Sequence, residues 1–328
     1  MYERARLPPG GADSPMTLTQ LNAFVLVARL GSVTAAASAL GVSEPAVSQA
    51  LTALRQHLGD QLITRGPGGM TLTPGGSRLL STASQIVVLG AEAQAAVRAA
   101  QGAPEQLRVV ATSSFAEFLS GPLMEAFTRR FSGSVEVSSG VAASGEVAVL
   151  VANRLADVAI GPGLAGDLPV VSEPVFKYRL VIVTGGHSRP RGSARQWRWL
   201  VDPAGADPAS ETGRLLAQLG VPESNIGVFP SQTAAWAAAA DGSGVAPAVE
   251  HLVSQQVRRG ELALVDLPGL PIEACWYVTT LEREHRSTSA SALRRFLSTP
   301  EAMQLMRSPA AGIPPSRFRP PVYVTIWS

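Results

Sequence analysis

The sequence predicts an α+β multi-domain chain with an N-terminal winged helix-turn-helix, a long linker helix and a C-terminal two-lobed α/β domain. Residues 38 to 59, SALGVSEPAVSQALTALRQHLG, place a glycine and a proline where two short helices would meet. Residues 74 to 100 keep a helical apolar spacing for longer than one small domain can cover. From Leu107 onward, strand-like segments alternate with helical ones, which indicates parallel α/β units.

Ser43 and Pro45 mark the start of the second helix of the helix-turn-helix. A proline in the first turn of a helix loses no hydrogen bond, and serine is a favourable N-cap. Gly41 would end a preceding helix over residues 33 to 40, for which Ser32 is the N-cap. An amphipathic helix over residues 17 to 30 precedes both.

The second helix divides into an apolar and a polar face. Val47, Leu51, Leu54 and Leu58 recur at helical spacing and are expected to face inward. Small side chains on the other face let the backbone approach base edges closely, so this face is a candidate DNA-contacting surface. The candidate DNA contacts are Ser32, Thr34, Ser43, Glu44, Pro45, Ser48, Gln49, Thr52, Arg55 and Arg65.

The segment RGPGGMTLT, residues 65 to 73, predicts a glycine-rich turn and a short strand, which would form the wing. Thr73 and Pro74 then open a helix that continues to about Ala100. Its apolar stripe is longer than its own domain can bury, so a second copy of the chain is expected to cover it.

The C-terminal part is predicted to form two α/β lobes, joined by two crossovers, with a ligand cleft between them. Thr112, Ser113 and Ser114 follow the first strand and precede a helix, and Ser231, Gln232 and Thr233 do the same in the second lobe. These residues are either ordinary N-caps or an anion site, because free N–H groups at a helix start favour negative charge. Asp202 either lines the cleft, where it could invert the ligand charge, or lies in a surface loop.

Residues 17 to 100 resemble the DNA-binding domain of LysR-type transcriptional regulators. The resemblance is carried by LNAFVLVARLGSVTAAASALGVSEPAVSQALTALRQHLGDQLITR and by LTPGG, and more weakly by LADVAIGP, GGHSRP and AADGSGVAPAV further on. It implies a periplasmic-binding-protein-like effector domain, a double-stranded DNA operator, a homodimer or homotetramer, contact with RNA polymerase and a bacterial, cytoplasmic setting. The small-molecule effector is expected to be anionic.

The chain departs from the family pattern in its charges. Glu44 stands where the family usually has glutamine, and no second basic residue follows Arg65 in the wing. Between Met16 and Arg78, four arginines oppose two carboxylates, a net charge of +2, so non-specific DNA affinity is expected to be modest.

Other classes of function find little support. No apolar run is long enough to cross a bilayer, and the single cysteine, Cys275, makes a cysteine-based zinc site improbable. The glycine pattern at residues 161 to 166 is followed by an extended segment and not by the helix that dinucleotide binding requires. We therefore expect no enzyme activity, no cofactor and no metal. The alternative is a ligand-binding protein whose N-terminal domain only dimerises.

The predicted boundaries give five segments. They are a disordered leader (1–15), the DNA-binding domain (16–73), the linker helix (74–103), the effector domain (104–307) and a Pro-rich tail of unassigned role (308–328). Within the effector domain, lobe I is predicted to comprise about 104–182 and 273–307, and lobe II about 183–272.

Overall fold

The computed structural model describes residues 16–66, 69–131, 134–163 and 168–308. The chain forms two compact units that divide between Arg98 and Ala99. The predicted leader, the tail beyond Ser308, residues 67–68 of the wing turn and residues 164–166 of the glycine pattern lie outside the described residues.

The first unit contains the predicted three helices, a hairpin and the long helix. Its elements are α1 (Leu18–Leu30), α2 (Val33–Leu40), α3 (Glu44–Leu58), β1 (Ile63–Gly66), β2 (Gly69–Leu72) and α4 (Pro74–Ala100). The predicted caps are confirmed, because the Ser32 hydroxyl accepts a hydrogen bond from the amide of Ala35 and the Ser43 hydroxyl accepts one from Ala46. β1 and β2 pair antiparallel, with Arg65 opposite Met70.

The core of the first unit confirms the inward face of α3 except at its end. Val47, Leu51 and Leu54 are buried, as are the side chains of α1 from Ala23 to Val27. Leu58, however, is 41% exposed, so its inward assignment is wrong. Leu58 is the last residue of α3 and lies one turn beyond Leu54, the last side chain of this helix that the core covers.

Asp60 fixes the base of the wing to the start of α4. Its Oδ1 accepts hydrogen bonds from the Leu62 amide at 2.7 Å and from the Thr73 hydroxyl at 2.8 Å. Thr73 Oγ1 in turn accepts from the amide of Gly76, which confirms Thr73 as the N-cap of α4. The bond from Leu62 and then that from Thr73 lower the pKa of Asp60.

The second unit is built on a seven-stranded sheet. Its strands are β3 (Glu105–Ala111), β4 (Val135–Val141), β5 (Val158–Gly161), β6 (Val170–Gly185), β9 (Ala246–Val249), β10 (Leu262–Leu264) and β11 (Ile272–Leu281). Their order is β10-β6-β11-β5-β3-β4, and β9 also pairs with β6. A separate parallel pair is formed by β7 (Trp199–Val201) and β8 (Ile226–Val228).

The expectation of parallel α/β units holds for part of this sheet. β3 pairs parallel with β4 and β5, but β5, β6, β9 and β10 all join antiparallel pairs. The reason is that the two predicted crossovers are themselves long strands, β6 and β11, which pair with each other over ten positions. Because β6 and β11 are far apart in the sequence and several helices lie between them, the alternation of helices and strands could not reveal their relative direction.

Helices cover the sheet. They are α5 (Ser113–Phe115), α6 (Gly121–Phe131), α7 (Val147–Ala152), α8 (Glu211–Gln218), α9 (Gln232–Ala240), α10 (Glu250–Arg258), α11 (Thr288–Leu297) and α12 (Pro300–Arg307). A π-helical turn over Ala116–Ser120 joins α5 to α6. Separate apolar cores lie in the two lobes, one around Phe127 and Trp276 and others around Trp236 and Trp199. Within the described ranges, no helix has the length and apolar character needed to cross a membrane.

Candidate functional site

The outward face of α3 is an open polar surface. Glu44, Pro45, Ser48, Gln49 and Thr52 are all exposed. The Thr52 hydroxyl donates to the Ser48 carbonyl at 2.8 Å, whereas the Ser48 and Gln49 side chains make no hydrogen bond to any described residue. These two side chains are therefore available to bind an external partner.

The two capping serines keep a donor free. Because Ser32 Oγ and Ser43 Oγ accept hydrogen bonds from helix amides, their hydroxyl hydrogens remain available to an acceptor such as a phosphate. Thr34 lies beside Ser32 at the start of α2, and its side chain is exposed. The starts of α2 and α3 thus present hydroxyl donors near helix N-termini, where an anion is favoured.

The two candidate arginines differ in what they contact. Arg55 donates from Nε to the Gln61 carbonyl at 2.8 Å and from Nη2 to the Ile63 carbonyl at 3.0 Å, and so braces α3 against β1. Arg65 is exposed on β1 and makes no ion pair with a described residue. Arg29 is directed inward to Ser84, and burial lowers the pKa of its guanidinium. Arg65 is therefore better placed than Arg55 or Arg29 to contact an external anion.

In the second unit, Ser113 and Asp202 join the two lobes. The Ser113 hydroxyl donates to Asp202 Oδ2 at 2.5 Å, and the Gly205 amide donates to Asp202 Oδ1 at 3.0 Å. Asp202 is only 3% exposed, so the surface-loop alternative for this residue is wrong. Both of its described hydrogen-bond donors are neutral.

The start of α9 is capped from both lobes. Ser231 Oγ accepts a hydrogen bond from the amide of Ala234, as an ordinary N-cap does. The preceding amides, of Gln232 and Thr233, donate at 3.1 and 3.0 Å to the carboxylate of Glu117, which lies on the π-helical turn of lobe I. The Thr233 hydroxyl also donates to Glu117, at 2.5 Å. The protein's own carboxylate therefore occupies the anion site that the sequence predicted at this helix.

Glu117 was missed because it caps a helix that begins 115 residues later in the chain. Nothing in the local pattern AEFLS indicates this contact. A π-helical turn is a recurrent feature of functional sites, and this one ends directly before Gly121 and Pro122.

Two further contacts hold the lobes together beside Glu117. Gln232 Nε2 donates to Ser114 Oγ at 2.6 Å, while Gln232 Oε1 is buried without a hydrogen-bond partner among the described residues. The Phe118 ring stacks on the Trp236 ring, with 4.9 Å between centroids and 12° between planes. The cleft is thus closed by polar and aromatic contacts.

A cavity of about 50 Å³ remains between the lobes. Among the predicted ligand-binding residues, those that line it are Thr112, Ser113, Ser114, Asp202 and Gln232, whereas Ser231 and Thr233 do not. Its apolar wall includes Tyr178 and Trp276, whose ring centroids are 4.5 Å apart, and burial raises the pKa of the Tyr178 hydroxyl.

Comparisons with known proteins match both units. The family described as bacterial regulatory helix-turn-helix protein, lysR family, matches residues 18–77, and the LysR substrate binding domain family matches residues 100–299. The uncharacterized HTH-type transcriptional regulator Rv0377 of Mycobacterium tuberculosis is 35% identical over 95% of this chain and 100% of its own. CfxR of Cupriavidus necator, an HTH-type transcriptional regulator, is 28% identical over 86% of this chain and 91% of its own. The crystal structure of ArgP from M. tuberculosis superimposes with a TM-score of 0.52 at 20% identity, covering 90% of this chain and 97% of that one.

Proposed function

Because the chain belongs to the LysR family of DNA-binding transcriptional regulators, we propose that α3 contacts the operator bases and that a small molecule bound between the lobes changes the regulatory outcome. The observation that carries the first half is the exposed polar face of α3, where Ser48 and Gln49 have no partner among the described residues. A glutamine side chain can pair with adenine in the major groove through its amide group.

The remaining DNA contacts divide by chemistry. Ser32, Thr34 and Ser43 supply hydroxyls near helix starts, which suit phosphate oxygens. Arg65 on the wing supplies an exposed positive charge for phosphate or the minor groove, whereas Arg55 acts mainly by holding the wing to α3. Glu44 adds a carboxylate that can accept a hydrogen bond from cytosine N4 but is repelled by phosphate.

The assembly is proposed to be a homodimer or homotetramer formed through α4. Ile86, Leu89 and Val97 are 37%, 61% and 58% exposed on this helix, an apolar stripe that a second copy would bury. A two-fold dimer would present two copies of α3 to a palindromic operator. Because the protein is a transcriptional regulator, we also propose that it acts in the cytoplasm and contacts RNA polymerase.

The alternative, a ligand-binding protein whose N-terminal unit only dimerises, gains no support. Its dimerisation surface would account for the stripe on α4, but it gives no reason for α3 to present the small polar side chains of Ser48, Gln49 and Thr52 outward.

Fluorescence anisotropy with labelled duplexes tests the proposal. In the full chain, Gln49→Ala should weaken operator binding by about 5- to 150-fold, since a good bidentate base contact contributes about 1–3 kcal/mol. Gln218→Ala, an exposed glutamine on α8 of the second unit, is the matched control and should bind as the unmodified chain does. Equal affinity of the two variants would contradict the assignment of α3.

A further inference from the structure

We infer that the interlobe cavity binds an organic amine, whose protonated nitrogen pairs with Asp202. This inference rests on the proposed function, because it specifies the ligand class of the same cleft. The inferred ligand is a cation, whereas the helix starts predicted an anion. The difference follows from the side chains that line the closed cleft.

Two acceptor groups belong to residues that line the cavity, the Asp202 carboxylate and Gln232 Oε1. Asp202, 3% exposed, receives hydrogen bonds only from the Ser113 hydroxyl and the Gly205 amide among the described residues. A buried carboxylate satisfied by neutral donors alone is costly, and a cation is the partner that relieves this cost. Independently, Gln232 Oε1 is buried beside the same cavity without a hydrogen bond to any described atom. The Asp202 carboxylate and Gln232 Oε1 would therefore both be stabilised by a ligand that donates hydrogen bonds.

The protein supplies no cation of its own at this place. No lysine or arginine is found among the described residues that line the cavity. Glu211, also in the lining, forms an ion pair with the exposed Arg214 at 3.5 Å, whereas Asp202 has no ion-pair partner among the described residues. The helix start that would have attracted an anion is occupied by Glu117.

The remaining walls fit the organic part of such a ligand. Tyr178, Leu180 and Trp276 give one side of the cavity apolar and aromatic surface, which suits methylene groups next to an ammonium. The 50 Å³ has space for a terminal aminomethyl group, and a longer body requires the lobes to separate.

Three probes of one length separate charge from shape: n-butylamine, butyrate and n-butanol. Saturation-transfer NMR on the full chain should detect n-butylamine in the cleft and give weak or no signal for the other two. Asp202→Asn should weaken n-butylamine binding by about tenfold or more, because the neutral amide cannot pair with the ammonium. Asp207→Asn, five residues later and outside the cavity lining, is the matched control.

Ser113→Ala keeps the test decisive if Asp202→Asn fails to fold. Removing the Ser113 hydroxyl frees Asp202 Oδ2, so the affinity for n-butylamine should be kept or increased, whereas an anion site would be weakened by losing a donor. Butyrate binding more tightly than n-butylamine, or no n-butylamine binding, overturns the inference. Operator binding measured on the same samples tests the proposed function separately, because loss of specific DNA binding would contradict that function whatever the probes do.

Discussion

Glu117→Gln tests how the second unit holds its lobes together. The substitution keeps the size of the side chain but removes its charge and one of the two acceptor oxygens that bind the amides of Gln232 and Thr233. A hydrogen bond to a charged group contributes about 1.5–3 kcal/mol, and a negative charge at a helix N-terminus adds about 0.3–1 kcal/mol. Since Glu117 is part-exposed and the glutamine oxygen still accepts one bond, we expect a net loss of about 1–2 kcal/mol.

Hydrogen exchange measured by mass spectrometry at the start of α9 is the direct assay. A loss of about 1–2 kcal/mol should accelerate exchange of the Gln232 and Thr233 amides by about 5- to 30-fold. Glu125→Gln, an exposed carboxylate on α6, is the control and should leave both amides unchanged. Unchanged exchange of these amides in Glu117→Gln would refute the assignment of Glu117 as the interlobe cap.

Three further predictions concern assembly, DNA contact and pH. Changing Ile86 and Val97 together to Asp should produce monomers by light scattering, because a seam between two copies cannot pair the new charges, and an unchanged mass would exclude α4 as the interface. Arg65→Ala should weaken binding to all duplexes and reduce the salt dependence by about one counterion, whereas a change in preference at one base pair would assign it to base contact. Burial lowers the pKa of His251 from 6.5, an effect partly opposed by a hydrogen bond with the Met306 backbone. As the pH falls, the unfolded chain therefore binds a proton at His251 before the folded chain does. The free energy of unfolding should decrease as the pH drops below 6.5 toward the pKa of His251 in the folded chain. His251→Gln should flatten that part of a melting-temperature profile, and an unchanged slope would remove His251 as the cause.

The helix starts of the first unit could be predicted from the sequence because their determinants are local. The starts of α2, α3 and α4 follow from Ser32, Ser43 and Thr73, because a cap acts on amides two or three residues away. The predicted boundary between winged helix and linker depends on the same local signals.

The sequence was less informative where distant segments meet. The direction of β6 and β11 depends on pairing between segments about a hundred residues apart, which helix-strand alternation does not encode. Glu117 is also far in sequence from the helix that it caps. The sequence therefore could not show that the start of α9 is unavailable to an anion. Asp202 directly follows β7, but one of the hydrogen bonds that it accepts comes from Ser113 in the other lobe. The charge of the cleft could therefore be judged only after both lobes were placed together.

We propose above all that the exposed face of α3 makes this chain a sequence-specific DNA-binding protein. A gel-shift titration of the full chain should compare a duplex from its own upstream intergenic region with a shuffled duplex of equal composition. A complex should form preferentially on the upstream duplex and weaken steeply as salt is raised. Equal binding to both duplexes, or no complex even at low salt, would rule out sequence-specific binding through α3.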